Sequence, residues 1–380
     1  MRRPAALLLL LAALPATAQD PSPGRAARTE WFRDAGFGIF VHYLAGIQNN
    51  ADSVLSLGKQ TDWDACVRDF DTERFADAAA EAGAGYVIFT VMQVSRFMIA
   101  PNATFDRISG YQPGEACATR DLIEDLHRSL SKRGIPLMLY WTGNGPCADA
   151  KASAALGWQA PVSDAWLAKW AAVTEEYALR YGEKVAGWWV DGCYVKHGNL
   201  GYDDAKLGVL ARALKAGNPR RIIALNPGVE LTAYSVHDDY TAGEQNSFLA
   251  LPESRWLGGK QWHVLSYLGP ERSDNYLAAG WCEPGLKYSK QELAAYVRAV
   301  NSKGGVVSID AFLFRDGGLD RSQLELLRAL RPALVAQKDR PPIPPGNLAF
   351  GKPARLLSLD GQRDLPINGD GVMKPQRGVD

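Results

Sequence analysis

The chain alternates short β-branched and aromatic runs, mostly apolar on both faces, with longer stretches whose apolar positions return every three or four residues. Runs at 37–42, 86–91, 136–141, 186–191, 222–226, 236–241, 262–268 and 306–314 read as strands. Apolarity on both faces is what a parallel sheet covered by helices demands. Helical stretches at 72–82, 119–133, 163–181, 203–216 and 289–302 lie between them, and 321–335 follows the last. Several open on Ser, Thr or Asp and close near Gly, as helix caps require. The connection 244–260 carries no clear helical period. Eight strands in alternation with helices over about 300 residues predict a (β/α)8 TIM-like barrel. No Gly-x-Gly-x-x-Gly turn follows the first run, which argues against an open dinucleotide-binding sheet.

The two ends read differently from the middle. Arg2 and Arg3 precede an apolar run at 5–14 and the small residues Ala16-Thr17-Ala18, so 1–18 is expected to be a secretory signal peptide and the protein periplasmic or secreted. That run is too short to span a bilayer and no later one is long enough, so no membrane insertion is expected. The barrel, as catalytic domain, is expected over 28–338. Pro341-Pro342-Ile343-Pro344-Pro345-Gly346 makes 339–346 a stiff linker. The remaining residues, 347–380, are too few for an independent β-sandwich and are expected to be a short β-type segment, part of a module.

Lys plus Arg and Asp plus Glu number 42 each, so charge offers no argument for a nucleic-acid partner or an anionic membrane surface. Eleven Trp, fourteen Tyr and twelve Phe provide aromatic faces of the kind that line sugar sites. Five cysteines lie far apart with no Cys-x-x-Cys, which indicates neither a zinc cluster nor a dense disulfide scaffold. Without His-x-His, His-Glu-x-x-His or carboxylates at ligand spacing, no metal or other cofactor is expected. Nor is there a Gly-x-Ser-x-Gly elbow.

In such a barrel the site lies at the carboxyl ends of the strands. Asp191, closing Gly187-Trp188-Trp189-Val190-Asp191-Gly192, is a carboxylate at the end of an apolar strand, costly unless used as nucleophile or base. Other strand ends bring His42, Gln93 and Arg96, Tyr140 and Trp141, and Asn226, with His263 on strand seven. Asp238, Asp239, Glu244, Glu253 and Glu283 are candidates for a second carboxyl group.

Trp31-Phe32-Arg33-Asp34-Ala35-Gly36-Phe37-Gly38-Ile39-Phe40-Val41-His42 resembles the N-terminal barrel signature of the α-L-fucosidase family of glycoside hydrolases, and Trp189-Val190-Asp191-Gly192 resembles that family's nucleophile strand. Lesser matches run through Ala82-Gly83-Ala84-Gly85-Tyr86-Val87, Thr119-Arg120-Asp121-Leu122 and Ser302-Lys303-Gly304-Gly305, so the resemblance covers about 31–334. It implies a retaining exo-α-L-fucosidase acting on a glycan or glycoconjugate, with Asp191 as nucleophile and His42, Tyr140 and Trp189 facing the sugar. Glu244 resembles in placement the family's acid/base. Asn347-Leu348-Ala349-Phe350-Gly351-Lys352-Pro353-Ala354 resembles the opening strand of a discoidin-like carbohydrate-binding module. Two departures stand out. Gln93-Val94-Ser95-Arg96-Phe97 replaces the family's His-His-Asp-Gly-Phe, and Asn226-Pro227-Gly228 stands where an arginine is usual. With those partners gone, another α-linked sugar, such as a galactoside or a modified fucose, is an alternative substrate, and a barrel that binds sugar without cleaving it is an alternative function.

Overall fold

The computed structural model describes residues 22–195, 200–271 and 279–330, and the backbone of two short strands beyond them. The expected signal peptide and linker lie outside the described residues, as does most of 347–380. Among the described residues nine strands precede residue 330: β1 Phe37–Val41, β2 Val87–Thr90, β3 Leu137–Thr142, β4 Val185–Asp191, β5 Ile222–Leu225, β6 Trp256–Leu257, β7 Lys260–Gln261, β8 His263–Tyr267 and β9 Val306–Asp310. β6 and β7 form a small antiparallel ribbon, as do β10 Arg355–Leu357 and β11 Asp364–Pro366.

The other seven form one parallel sheet in the order β5-β4-β3-β2-β1-β9-β8. Alternation along each strand divides the core in two. One face packs Phe40, Ile88, Met138, Tyr140, Trp189, Leu265 and Val306 into a single cluster. Since Leu265 and Trp189 come from opposite arms of that order, the sheet must curl. The other face sends Ile39, Phe89, Leu139, Trp141, Trp188, Val190 and Ile309 against the helices. Inward-facing glycines make the interior fit: a Cβ on Gly38 would stand 2.3 Å from the Tyr86 ring, and one on Gly187 2.6 Å from the Met138 methyl.

The expected eighth member, the run 236–241, is not a regular strand. Its segment still spans the gap between β5 and β8. The Asp239 amide donates to the Ile223 carbonyl at 2.8 Å, Gln261 donates to Asp239 at 3.0 Å, and Thr241 donates back to Gln261 at 3.0 Å. Two rungs are supplied by side chains: Ile223 N donates to Asp239 Oδ2 at 3.1 Å and Leu225 N to Asp238 Oδ1 at 2.9 Å. Carboxylates therefore stand where backbone carbonyls would in a regular ladder. Higher up, Leu265 N donates to Gly243 O and Gln245 N to Leu265 O, both at 2.9 Å. A Cβ on Gly243, at φ +61, would lie 2.0 Å from the His263 carbonyl oxygen, so only glycine lets the segment approach β8 this closely.

Helices at Thr72–Ala82, Leu122–Ser131, Asp164–Tyr181, Asp204–Lys215, Lys290–Ser302 and Arg321–Arg328 follow the predicted pattern, each opened by a side-chain cap from Asp71, Asp121, Ser163, Asp203, Ser289 or Asp320. Such a cap contributes about 1 kcal/mol. As expected, no helix fills 244–260. Short helices Trp63–Arg68, Ala103–Ser109 and Ala150–Leu156 occupy the loops after β1, β2 and β3. Among the described residues no helix is long and apolar enough to cross a membrane.

Candidate active site

At the carboxyl ends of the strands a cavity of about 450 Å³ is lined by Phe40, His42, Gln93, Tyr140, Trp189, Asp191, Glu244, Trp281 and Cys282, with Leu44, Ile47 and Leu265 closing its sides. Four donors converge on Asp191. Tyr140 donates to Oδ2 at 2.8 Å; the Gly192 amide, the Tyr194 hydroxyl and Asn226 Nδ2 donate to Oδ1 at 2.8, 2.6 and 3.1 Å. An ionised carboxylate accepts all four. Burial and the facing carboxylate push the Tyr140 and Tyr194 hydroxyls up, so both remain donors. Gln93 holds Tyr140 from behind, Nε2 donating to its oxygen at 2.9 Å, and Trp189 stacks on Tyr140 with centroids 5.5 Å apart.

Asn226 also donates from the same nitrogen to Glu244 Oε2 at 2.6 Å. The two hydrogens of an amide diverge by about 120°, so the facing oxygens of Asp191 and Glu244 stand about 5 Å apart. Burial, with the Asp191 charge adding to it, raises Glu244 to about 7, against the opposing pull of Asn226 and His42. One amide thus links a carboxyl group that keeps its proton near neutrality to one that receives four donors.

On the opposite wall His42 Nδ1 pairs with Asp310 Oδ1 at 2.9 Å, and Asp310 Oδ2 accepts the Cys282 amide at 3.1 Å. Burial by itself would lower the imidazole, but Cys282 and Asp310 outweigh it and hold it well above its ordinary value. Burial pushes the Cys282 thiol up, against the opposing pull of the His42 imidazole. The ligand-type atoms of His42, Cys282 and Asp310 all lie within 4.8 Å of one another, the one group among the described residues with the composition to hold a metal ion. All five cysteines are free.

The structure therefore brings together His42, Gln93, Tyr140, Trp189, Asp191, Asn226 and Glu244. Trp141 was expected to shape the pocket. It lies on the outer face, buried against Trp170 with its Nε1 donating to Thr174, because neighbours on a strand point to opposite sides and Tyr140 takes the inner one. His263 begins β8 rather than ending it and sits within the curl, bonded to Thr241 O and Ser308 Oγ at 2.8 Å each. Burial lowers it to about 4, a neutral core imidazole. Arg96 points away from the cavity, paired with Asp149 at 3.0 Å and laid over the Phe97 ring. Among the competing acids, Asp238 and Asp239 are consumed by β5 amides, with Arg28 and Lys215 also on Asp239. Glu253 is exposed, and neither it nor Glu283 lines the cavity.

Trp281 and Cys282 are additional wall residues, and Asp310 stands behind His42. Asp310 sits at the inward position that closes β9, a signal hidden by reading that strand through to 314.

No protein-family model and no curated protein matches the chain. Solved structures do. An endo-fucoidan hydrolase of glycoside hydrolase family 107, MfFcnA9, superposes with a TM-score of 0.58 at 14% identity over 82% of this chain and 64% of that one. An α-L-fucosidase of family GH29 from Bacteroides thetaiotaomicron gives 0.55 at 17%, over 84% and 76%. The α-L-fucosidase AlfC, solved with Fuca(1,6)GlcNAc, gives 0.54 at 14%, over 82% and 99%. The chain spans 64% and 54% of the length of two fucoidan hydrolases it superposes on. At these identities the likeness is one of fold.

Proposed function

We propose that the protein is a retaining glycosidase, fucosidase-like in its chemistry, that removes a terminal α-L-fucosyl or related residue from a glycan outside the cytoplasm. The observation that carries this reading is the Asn226 amide bridging Asp191 and Glu244. Retaining enzymes hold their two carboxyl groups about 5–5.5 Å apart, whereas inverting ones leave about 6.5–9.5 Å for a water. The bridge distances of 3.1 and 2.6 Å favour the first.

In the first step the Asp191 carboxylate attacks the anomeric carbon while Glu244 passes its proton to the leaving oxygen. In the second, Glu244 takes a proton from water, the hydroxyl adds to the anomeric carbon, and Asp191 departs ionised. Gly192, Tyr194 and Asn226 steady the nucleophile by hydrogen bonds to Oδ1 and Tyr140 by one to Oδ2. Phe40, Trp189 and Trp281 offer apolar faces to the ring, and His42, with Asp310 behind it, offers a cationic donor to a hydroxyl. Superposition on fucosidases and fucoidan hydrolases supports a fucose-type sugar.

The test is a panel of aryl glycosides with the first-formed anomer followed by NMR, in wild type and Asp191→Asn. Retention of configuration and a loss of at least about a thousandfold in kcat for the variant are expected. Inversion, or a variant that keeps most of its rate, would overturn the mechanism.

A further inference from the structure

His42, Cys282 and Asp310 reach one point from three parts of the fold: the residue after β1, the segment after β8, and the last residue of β9. β1 and β9 are hydrogen-bonded neighbours, so His42 and Asp310 are fixed relative to one another. Cys282 is tied to Asp310 through its amide and holds a left-handed backbone at φ 56, a conformation uncommon for a residue with a side chain. His42 is further anchored by Gln48, whose Nε2 donates to its carbonyl at 2.8 Å. The geometry is therefore built before any ligand arrives.

Imidazole, thiol and carboxylate together are the donor set of a borderline-soft cation, not of Mg²⁺ or Ca²⁺, which take oxygen. Tetrahedral Zn²⁺ with bonds of about 2.0–2.3 Å sets its ligand atoms roughly 3.3–3.6 Å apart. The trio, with no pair beyond 4.8 Å and one at 2.9 Å, reaches that spacing by small side-chain rotations. Three protein ligands leave a fourth position open. His42 and Cys282 both line the sugar cavity, so that position faces it.

We propose that His42, Cys282 and Asp310 form a binding site for a thiophilic divalent cation, Zn²⁺ foremost, and that the bound ion closes the sugar cavity. Binding converts the Cys282 thiol to thiolate and frees an imidazole nitrogen, with the displaced protons passing to solvent. The ion removes the cationic donor that His42 offers and fills its side of the cavity, so turnover stops until the metal is withdrawn. The effect on turnover rests on the glycosidase reading; the binding does not.

The experiment uses the full chain, reduced and freed of metal by a chelator. Co²⁺ titration should produce a near-ultraviolet thiolate-to-cobalt band that saturates at one equivalent and is erased by Zn²⁺. Asp191→Asn should retain it and Cys282→Ala should lose it. Removing a ligand should cost more than the roughly 10–100-fold that changes outside the ligand set typically cost in affinity. In the wild type, Zn²⁺ should suppress hydrolysis and the chelator should restore it. Absence of the band in the wild type, or its persistence in Cys282→Ala, would overturn the site. Hydrolysis unaffected at saturating Zn²⁺ would overturn the closure. A chain that binds cobalt yet cleaves no glycoside would leave the site standing and sink the hydrolase reading.

Discussion

At the scale of single residues, the proposed division of labour between two acids is a matter of surroundings. Asp191 meets four donors, whereas Glu244 meets one amide and a buried wall, which with the neighbouring charge raises it to about 7. The folded-state value being raised, the proton is held below about pH 7 and lost above it. Hydrolysis of substrates with poor leaving groups should therefore fall as pH rises through about 7, giving a basic limb in kcat/KM. Glu244→Gln should slow those substrates by about 10²–10⁴-fold, leave activated aryl glycosides far less affected, and erase the limb. An equal loss on both kinds of substrate would assign Glu244 to binding instead. The position of Asp191 was legible in the chain, as a carboxylate closing an apolar strand. Asn226 was marked only as a strand end; its bridge between two carboxyl groups depends on where a loop returns, which no periodicity encodes. Trp141 could have been excluded, because Tyr140 and Trp141 cannot both face inward on one strand.

Between elements, the most connected tie is Arg221, fully buried just before β5. Its guanidinium donates to the carbonyls of Val185, Leu214, Ala216, Ala178 and Gly182 at 2.5–3.3 Å. Four of these lie at the carboxyl ends of helices Asp164–Tyr181 and Asp204–Lys215, where carbonyls lack partners and the dipole favours a cation. Burial lowers the side chain only to about 10, so it stays charged. Arg221→Met should leave several buried acceptors unsatisfied and cost at least about 3 kcal/mol. Arg221→Lys should recover little, because an ammonium cannot reach five acceptors. Chemical denaturation midpoints of both variants would measure this. The elements themselves were readable where pattern and cap agree, as for Thr72–Ala82. The segment at 236–241 was not: the alternation of strands and helices predicts a strand there, while Asp238 and Asp239 divert two β5 amides to side chains in place of a regular ladder.

For the whole molecule, the cavity that holds Asp191 and Glu244 has a larger neighbour. A depression of about 980 Å³ lined by Asn49, Gln60, Trp63, Arg96, Phe97 and Tyr111 adjoins it through the loop bearing Gln93 and Arg96 and the helix Ala45–Gln48. Its walls come from the loops after β1 and β2, with Ala45 and Trp63 from short helices after β1 and Lys151 from the one after β3, and helices a turn or two long leave little period in the sequence. Gln93 and Val94 supply fewer hydroxyl partners than a pair of imidazoles, and each missing bond is worth about 1 kcal/mol. Simple aryl α-L-fucosides should therefore be weak substrates, with kcat/KM rising on an extended glycan that reaches Arg96. Arg96→Ala should raise KM for that glycan about tenfold and leave the aryl glycoside unchanged. If both substrates respond alike, the depression has no part in recognition.

The seam between β5 and β8 has a bearing on how the protein ages. Glu244 rides on a segment that backbone rungs tie to β8 on either side of it, but whose links to β5 include two carboxylate side chains beside the Asp239 amide. Warming should loosen this seam while the other strands remain paired, so the working acid drifts out of register with Asp191 in an otherwise folded molecule. Heat should accordingly abolish turnover several degrees before the far-ultraviolet signal collapses, and amides at 241–245 should exchange with deuterium ahead of those in β3 and β4. Coincident loss of activity and secondary structure, with uniform exchange across the sheet, would contradict this. If that order of events holds, a cross-link between this segment and β5 should extend the active lifetime at elevated temperature.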